Sequence, residues 1–386
     1  MLSVLRRLRE DLSLPAAARA ARRADARGLP TKDPGAAPVI AATLGWLARA
    51  QDCSQSADGG FSRDFSLIRG WATSYPETSG YIVPTLLDTG DPSFIERARR
   101  CLDWLVAIQF PNGGFQGGKV DQTPKVPVTF NTGQILLGLA AGVAHLDRAR
   151  YLEPMRHAAI FLRDSLDADG CWRSHPTPFA GPGEKAYETH VSWGLFEAAR
   201  LLPEEGFGEA GLRQVDWALT KQAANGWFDS NCLVRPAEPL THTIGYVLRG
   251  VIEAWRWSGQ GRLLEAAGRT AAGLLPAVRE DGFLPGRLDC NWRAAVSWAC
   301  LTGSAQIAHC LLLIAQPLGR EDFAHAARRL NAYVRRSVAL AGNPDMVGGV
   351  RGSFPIDGAY GRFEYLNWAA KFLIDSCREE LAAGRA

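Results

Sequence analysis

Apolar residues along most of this chain fall at helical rather than alternating spacing, in segments of two kinds. The first kind is amphipathic and runs into a glycine. Leu44, Trp46, Leu47 and Ala50 lead to Asp58-Gly59-Gly60-Phe61, and Leu102, Trp104, Leu105 and Ile108 lead to Asn112-Gly113-Gly114-Phe115. Ile160, Phe161, Leu162 and Leu166 lead to Asp169-Gly170-Cys171-Trp172, and Val215, Trp217, Ala218 and Leu219 lead to Asn225-Gly226-Trp227. The glycine predicts a helix stop or tight turn, where positive φ costs little, and the aromatic after it predicts a buried closure. The second kind is apolar all round and rich in small residues: 80–87, 133–143, 191–202, 245–255 and 294–315. Helices of that kind are buried.

The glycine signature recurs at Asp281-Gly282-Phe283 and, weakly, at Val347-Gly348-Gly349-Val350. Spacings between glycines 60, 114, 170, 226, 282 and 349 are 54, 56, 56, 56 and 67 residues. A period of that length holds two helices and two loops. Six copies predict an all-α fold: an (α/α)6 toroid with an inner ring of apolar helices and an outer ring of amphipathic ones. The repeats predict one toroid domain over 38–386, preceded by a basic helix and linker over 1–37.

Trp104-Leu105, Gln109 and Gly113-Gly114-Phe115 resemble the repeat of squalene-cyclase-type proteins, as do Phe161-Leu162, Gly170 and Trp172. The chain resembles the α/α-toroid superfamily, which includes terpenoid cyclases, prenyltransferase β-subunits, six-hairpin glycosidases and toroidal polysaccharide lyases. Tyr75-Pro76-Glu77-Thr78-Ser79-Gly80-Tyr81 and Tyr365-Leu366-Asn367-Trp368-Ala369-Ala370-Lys371-Phe372 also resemble a bacterial family associated with surface-polysaccharide gene clusters. These motifs are structural and say little about chemistry.

Composition narrows the function classes. The formal charge of +3 over 386 residues gives no footprint for nucleic acid. The eight cysteines are scattered without a CxxC pair, so neither a zinc ribbon nor a redox dithiol is indicated. No cofactor or metal is expected: there is no P-loop, dinucleotide fingerprint or HExxH. No uncharged run is long enough to span a membrane, and no apolar signal core follows Met1, so a cytoplasmic location is expected. Residues 1–28 are rich in Arg and Ala, with apolar Leu2, Val4, Leu5, Leu8 and Leu12. That segment reads either as a helix packed outside the ring or as a peripheral contact with the inner membrane.

The register supplied by the glycines locates candidate chemistry. A Thr recurs near the start of each inner segment (Thr78, Thr132, Thr189, Thr243, Thr302), and Thr can cap free backbone N–H groups. The slots just before it hold Glu77, Asn131, Glu188, His242 and Leu301. A lone Glu in a first helical turn usually answers the helix dipole. Two in equivalent slots, each beside a tyrosine (Tyr75, Tyr187), point to a site. Candidate catalytic residues are therefore Glu77, Glu188, His190, His242 and Tyr360. Candidate substrate-binding residues are Trp71, Tyr75, Asn131, Tyr187, Asn291, Trp292, Arg362 and Glu364, with Trp71 and Trp292 as sugar-stacking platforms.

Two carboxylates across a pocket serve glycoside chemistry, and Asn, His, Tyr and Arg suit uronate elimination or epimerisation. The expected function is a carbohydrate-active enzyme of bacterial polysaccharide metabolism, a hydrolase or a lyase/epimerase. Its expected partner is an oligo- or polysaccharide, free or lipid-linked. The first alternative is a terpenoid cyclase or prenyltransferase, but no DxDD motif occurs, and Asp289-Cys290 with His242 or His309 is only a faint echo of a zinc site. The second alternative is a non-catalytic glycan-binding toroid.

Overall fold

The computed structural model describes residues 13–384. Among these are thirteen α-helices: α1 (Ala16–Asp25), α2 (Ala36–Asp52), α3 (Pro76–Leu87), α4 (Pro92–Ala107), α5 (Thr129–His145), α6 (Arg148–Asp164), α7 (Thr189–Leu201), α8 (Phe207–Leu219), α9 (Thr241–Ser258), α10 (Gly261–Leu274), α11 (Leu301–Ala315), α12 (Glu321–Arg335) and α13 (Asn367–Ala383). The odd-numbered helices from α3 to α13 form the inner ring, each touching the next, with α13 against α3. The even-numbered helices form the outer ring. The expected (α/α)6 toroid is the fold observed.

The tight hairpins pair each inner helix with the outer helix that follows it, not the one before it as the repeat suggested. Connections such as Leu146–Asp147 or Gly259–Gln260 are only two residues long. The sixth pair joins the two ends of the chain, α13 against α2. Long segments at the other rim (53–75, 108–128, 165–188, 220–240, 275–300 and 336–366) lead into the inner helices. Short strands stiffen this rim. β1 (Asp64–Ser66) lies between β2 (Gly70–Trp71) and β5 (Glu364–Leu366), so the first and last repeats share an antiparallel sheet. β3 (Ala299–Cys300) pairs with β4 (Ser353–Phe354). The expected helix over 294–315 therefore starts only at Leu301, because Ala299 and Cys300 are taken up by that pairing.

The glycine signature has a specific mechanical role. The Asp or Asn before it accepts an N–H from two residues on: Gly60 to Asp58, Gly114 to Asn112, Cys171 to Asp169, Trp227 to Asn225 and Phe283 to Asp281. The following glycine presses on the backbone of the next outer helix. A Cβ on Gly282 (φ +84°) would lie 2.1 Å from Arg329 O, and one on Gly348 (φ +79°) 1.9 Å from Ala42 O. The weak sixth signature thus closes the ring onto α2. The inner ring is equally close: a Cβ on Gly138 would lie 2.3 Å from Gly80 O. Small residues there let helix backbones touch.

The threonines of the inner helices do not cap. None of the N-cap residues of α3, α5, α7, α9 and α11 makes a side-chain capping bond. Instead Ser79 and Thr132 accept the N–H of Phe61 and Phe115 at 2.9 Å each, tying the glycine loops to the inner helices.

Helix α1 packs on the toroid through buried Ala18 and Ala21. Its last residue, Asp25, is buried, accepts the Ile356 N–H at 2.7 Å and pairs with the Arg351 guanidinium. Leu2, Val4, Leu5, Leu8 and Leu12 lie outside the described residues. Among the described residues, no helix is long and apolar enough to cross a membrane. Removing one partner of a buried pair leaves the other uncompensated, so Asp25→Ala should cost about 3 kcal/mol. Urea denaturation checks this; an unchanged midpoint would mean that α1 is not anchored there.

Candidate functional site

The rim where the inner helices begin carries a buried carboxyl. Glu77, in the first turn of α3, accepts the Tyr75 hydroxyl at 3.1 Å and the Asn131 side-chain amide at 2.9 Å, both on Oε2. Asn131 comes from α5, so this bond joins two slots that the repeat aligned. Burial pushes the Glu77 carboxyl up to about 7, against the Tyr75 hydrogen bond and the Arg63 charge, which pull it down. At neutral pH it sits near half protonation, as a proton-transfer group requires.

Aromatic rings surround it. Tyr75 lies 6.0 Å from Trp368, whose indole N–H donates to the Tyr360 hydroxyl at 2.8 Å. Phe130 packs on Tyr187 and Tyr246 at 5.2 and 5.1 Å, and His242 on Tyr246 and Tyr360 at 4.3 and 5.6 Å. On one side Arg63 bonds Asp64 at 2.6 Å and Glu364 at 3.1 Å, and lies 5.2 Å over the Trp368 ring. Arg69 holds the other Glu364 oxygen at 2.5 Å.

Two cavities open on this rim. One, of about 560 Å³, is lined by Arg63, Asp64, Trp71, Tyr75, Lys119 and Glu364, among others. The other, of about 260 Å³, is lined by Phe130, Trp172, Arg173, Lys185, Tyr187 and Glu188, among others. The loop 173–185 separates them, with Phe179 on the larger and Thr177 on the smaller. Tyr75 both lines the larger cavity and bonds Glu77, so it links that cavity to the buried carboxyl.

The two predicted acids do not share a cavity. Glu188 belongs to the short helical turn Ala186–Glu188 that precedes α7, and it faces the smaller cavity. Burial raises its carboxyl to about 8, opposed by Lys185, and its Oε2 has no hydrogen-bond partner. The phenolate of Tyr187, which lines the smaller cavity, is disfavoured by burial and then by the charges of Glu188 and Glu77.

The stability consequence has a definite sign. Glu188 binds its proton more tightly folded than unfolded, so its contribution to stability falls as pH rises from 4.5 through about 8. Glu188→Gln should therefore raise the melting temperature at pH 8.5 and leave it nearly unchanged at pH 4.5. The gain at high pH has an upper bound on the order of 5 kcal/mol. An equal shift at both pH values would contradict a buried, titrating carboxyl.

The histidines lie deeper. His190 Nδ1 is 2.6 Å from Gln134 Oε1, and His242 Nδ1 is 2.6 Å from Gln306 Oε1. Burial lowers His190 well below its usual range and His242 to about 4, so both are neutral at neutral pH. His190 is fully buried against Tyr246 and Trp193. With Tyr81, Tyr246 and Phe372 it plugs the middle of the barrel. Neither histidine lines the rim cavities.

Three other predicted residues stand apart. Trp292 packs edge-on against Trp227 at 5.2 Å and donates to Asn225 O, so it closes a loop and offers no sugar platform; Asn291 is exposed beside it. Arg362 is exposed, with its guanidinium 5.3 Å over Phe363, and lines neither rim cavity. Trp71 does reach the larger cavity, held by Trp46 and by a bond to Asp345. Sequence reasoning left Trp368, Tyr246 and Phe130 out of the site. Tyr246 follows His242 at helical i+4 spacing, which puts both on one face and was the available signal.

No family model matches the chain, and no curated protein matches it. Solved structures do. A heparin-specific unsaturated glucuronyl hydrolase superposes with a TM-score of 0.70 at 15% identity, covering 90% of this chain and 97% of that one. The unsaturated glucuronyl hydrolase of Bacillus sp. GL1, responsible for glycosaminoglycan degradation, gives 0.69 at 18% identity, covering 88% and 95%. Cellobiose 2-epimerase of Bacillus thermoamylovorans gives 0.68 at 10%, covering 88% and 97%. At such identities the likeness establishes the α/α-toroid fold.

Proposed function

We propose that this chain is a carbohydrate-active enzyme that performs hydrolysis, or elimination or epimerisation at a uronate, in the larger rim cavity. The observation that carries the reading is Glu77, a buried carboxyl poised near 7 and joined to that cavity by Tyr75. In the reactive arrangement the Tyr75 hydroxyl turns from Glu77 to the substrate oxygen; protonated Glu77 then donates to Tyr75 Oη and hands over its proton as Tyr75 passes its own to the substrate, so the phenol never has to ionise. Asn131 fixes the carboxyl, and Trp71 offers an apolar wall for a sugar ring. The Arg63–Glu364–Arg69 cluster orients hydroxyl or carboxylate groups of the substrate. Glu188 with Tyr187 holds a neighbouring sugar across the loop 173–185. Asp64 or Glu364 supplies the second carboxylate of a hydrolytic pair, in place of the Glu188 that the repeat suggested.

The toroid unit is taken to begin with α2 at Ala36, two residues before the boundary that the repeats suggested, with α1 packed on it. A cytoplasmic setting, with a nascent or lipid-linked glycan as substrate, fits the resemblance to the surface-polysaccharide family. Incubation with saturated and unsaturated uronate-containing oligosaccharides, followed by mass spectrometry, tests the reading. Cleavage or isomerisation of at least one is expected; binding without turnover across the panel would reject it in favour of a glycan-binding toroid. Tyr75→Phe should lower kcat about 100-fold, since general acid–base groups contribute on that order. Unchanged kcat would remove Tyr75 from the proton path.

A further inference from the structure

A further cavity lies at the other end of the barrel. It measures about 710 Å³, and the plug of Tyr81, Tyr246, His190 and Phe372 separates it from the rim site. One wall is apolar and small: Leu137, Ala140, Ala141 and Ala144 of α5. The opposite wall carries Arg249, His309 and Lys371, all nearly buried at 8, 8 and 3% exposure. These three occupy the first half or middle of their helices, turns away from the C-terminal ends, so the helix dipole does not account for them.

Their hydrogen bonding is unbalanced. Asp375 accepts from Lys371 at 2.6 Å and from Thr85 at 2.7 Å, one on each oxygen. Glu253 accepts from Arg249 and Arg256 on one oxygen and from Arg256 on the other. Asp375 and Glu253 are thus engaged, while Asp88 and Glu379 also line the cavity; the cations keep further N–H groups, with Arg249 4.0 Å over the Trp193 ring and Lys371 4.6 Å over Phe372. Lys371 has three N–H groups and one hydrogen-bond partner. Arg249 uses Nε on Glu253 and Nη1 on His309 Nδ1 at 3.2 Å, which leaves Nη2 and the His309 Nε2–H. These N–H groups belong to residues that line the cavity, where a ligand can accept from them.

We propose that this cavity is a second ligand site, specific for a small organic carboxylate. Its head accepts from Lys371, Arg249 and His309, and its apolar body lies along Leu137, Ala140 and Ala141. A monoanion is favoured over a phosphate dianion, because Asp375 and Glu253 stand beside the same cations. The volume suits a ligand of ordinary small-molecule size. The site is independent of the chemistry at the rim.

Isothermal titration of the full chain with sodium octanoate, and with octanamide as its neutral counterpart, tests the site. Saturable 1:1 binding of octanoate is expected, at least tenfold tighter than octanamide. Ala141→Trp, which fills the cavity and leaves the ion network intact, should abolish octanoate binding with an unchanged circular dichroism spectrum. Lys371→Met should weaken octanoate at least tenfold and leave octanamide unaltered. Absence of octanoate binding, equal binding of acid and amide, or octanoate binding that survives Ala141→Trp would each overturn the proposal.

Discussion

Glu77→Gln should reduce kcat by 10²- to 10⁴-fold, the range general acid–base groups contribute. The substitution is nearly isosteric, and the amide oxygen can still accept from Tyr75 and Asn131, so KM should change little. What disappears is the exchangeable proton. On the proposed reading, protonated Glu77 is the active acid. Activity should therefore decline as pH rises through about 7, the value to which burial lifts this carboxyl. In Glu77→Gln the residual rate should lose that limb. The variant should also be more stable than wild type above pH 7 and not at pH 4.5, since the ionised side chain no longer has to be held out of water. A variant with wild-type kcat, or one that keeps the limb near 7, would assign the titration to another group.

Gly282→Ala should destabilise the protein by about 3 kcal/mol or more, because positive φ penalises a Cβ and overpacking against backbone has little room to relax. Here the added carbon would fall 2.1 Å from Arg329 O of α12, an atom that moves only if the helix moves. Gly259→Ala is the control: its φ is +70°, but nothing lies within 4 Å of the added Cβ. It should cost only about 1 kcal/mol, the backbone penalty alone. The difference between the two variants in a urea titration isolates the ring contact. Equal losses would mean that the signature glycines serve only the turn.

The architecture was legible because the same two demands recur in every repeat. The Asx turn wants Asp or Asn at 58, 112, 169, 225 and 281, and the close approach to the next outer helix wants Gly after it. The sixth copy looked weak since it lacks the Asx residue, yet Gly348 meets α2 as the others meet their neighbours.

The site was legible only where helix starts keep one register. Glu77 and Asn131 sit in the first turns of α3 and α5 and meet as the repeat implied. Glu188 departs from that register because a short turn, Ala186–Glu188, precedes α7. Trp292 adopts a left-handed conformation (φ +61°) that folds it back onto Trp227, which a residue pattern does not encode. The Arg63–Glu364 pair joins residues 301 apart, brought together by strand pairing between the first and last repeats. Local spacing carries no trace of that.

The most direct test of the central claim is a crystal structure of Glu77→Gln with an oligosaccharide that the wild-type enzyme turns over. The sugar should occupy the cavity of Arg63, Trp71 and Glu364, with the reacting oxygen about 3 Å from Tyr75 Oη, within hydrogen-bond reach. A sugar seated only against Glu188 and Arg173, or in the opposite mouth against Lys371, with Tyr75 untouched, would contradict it.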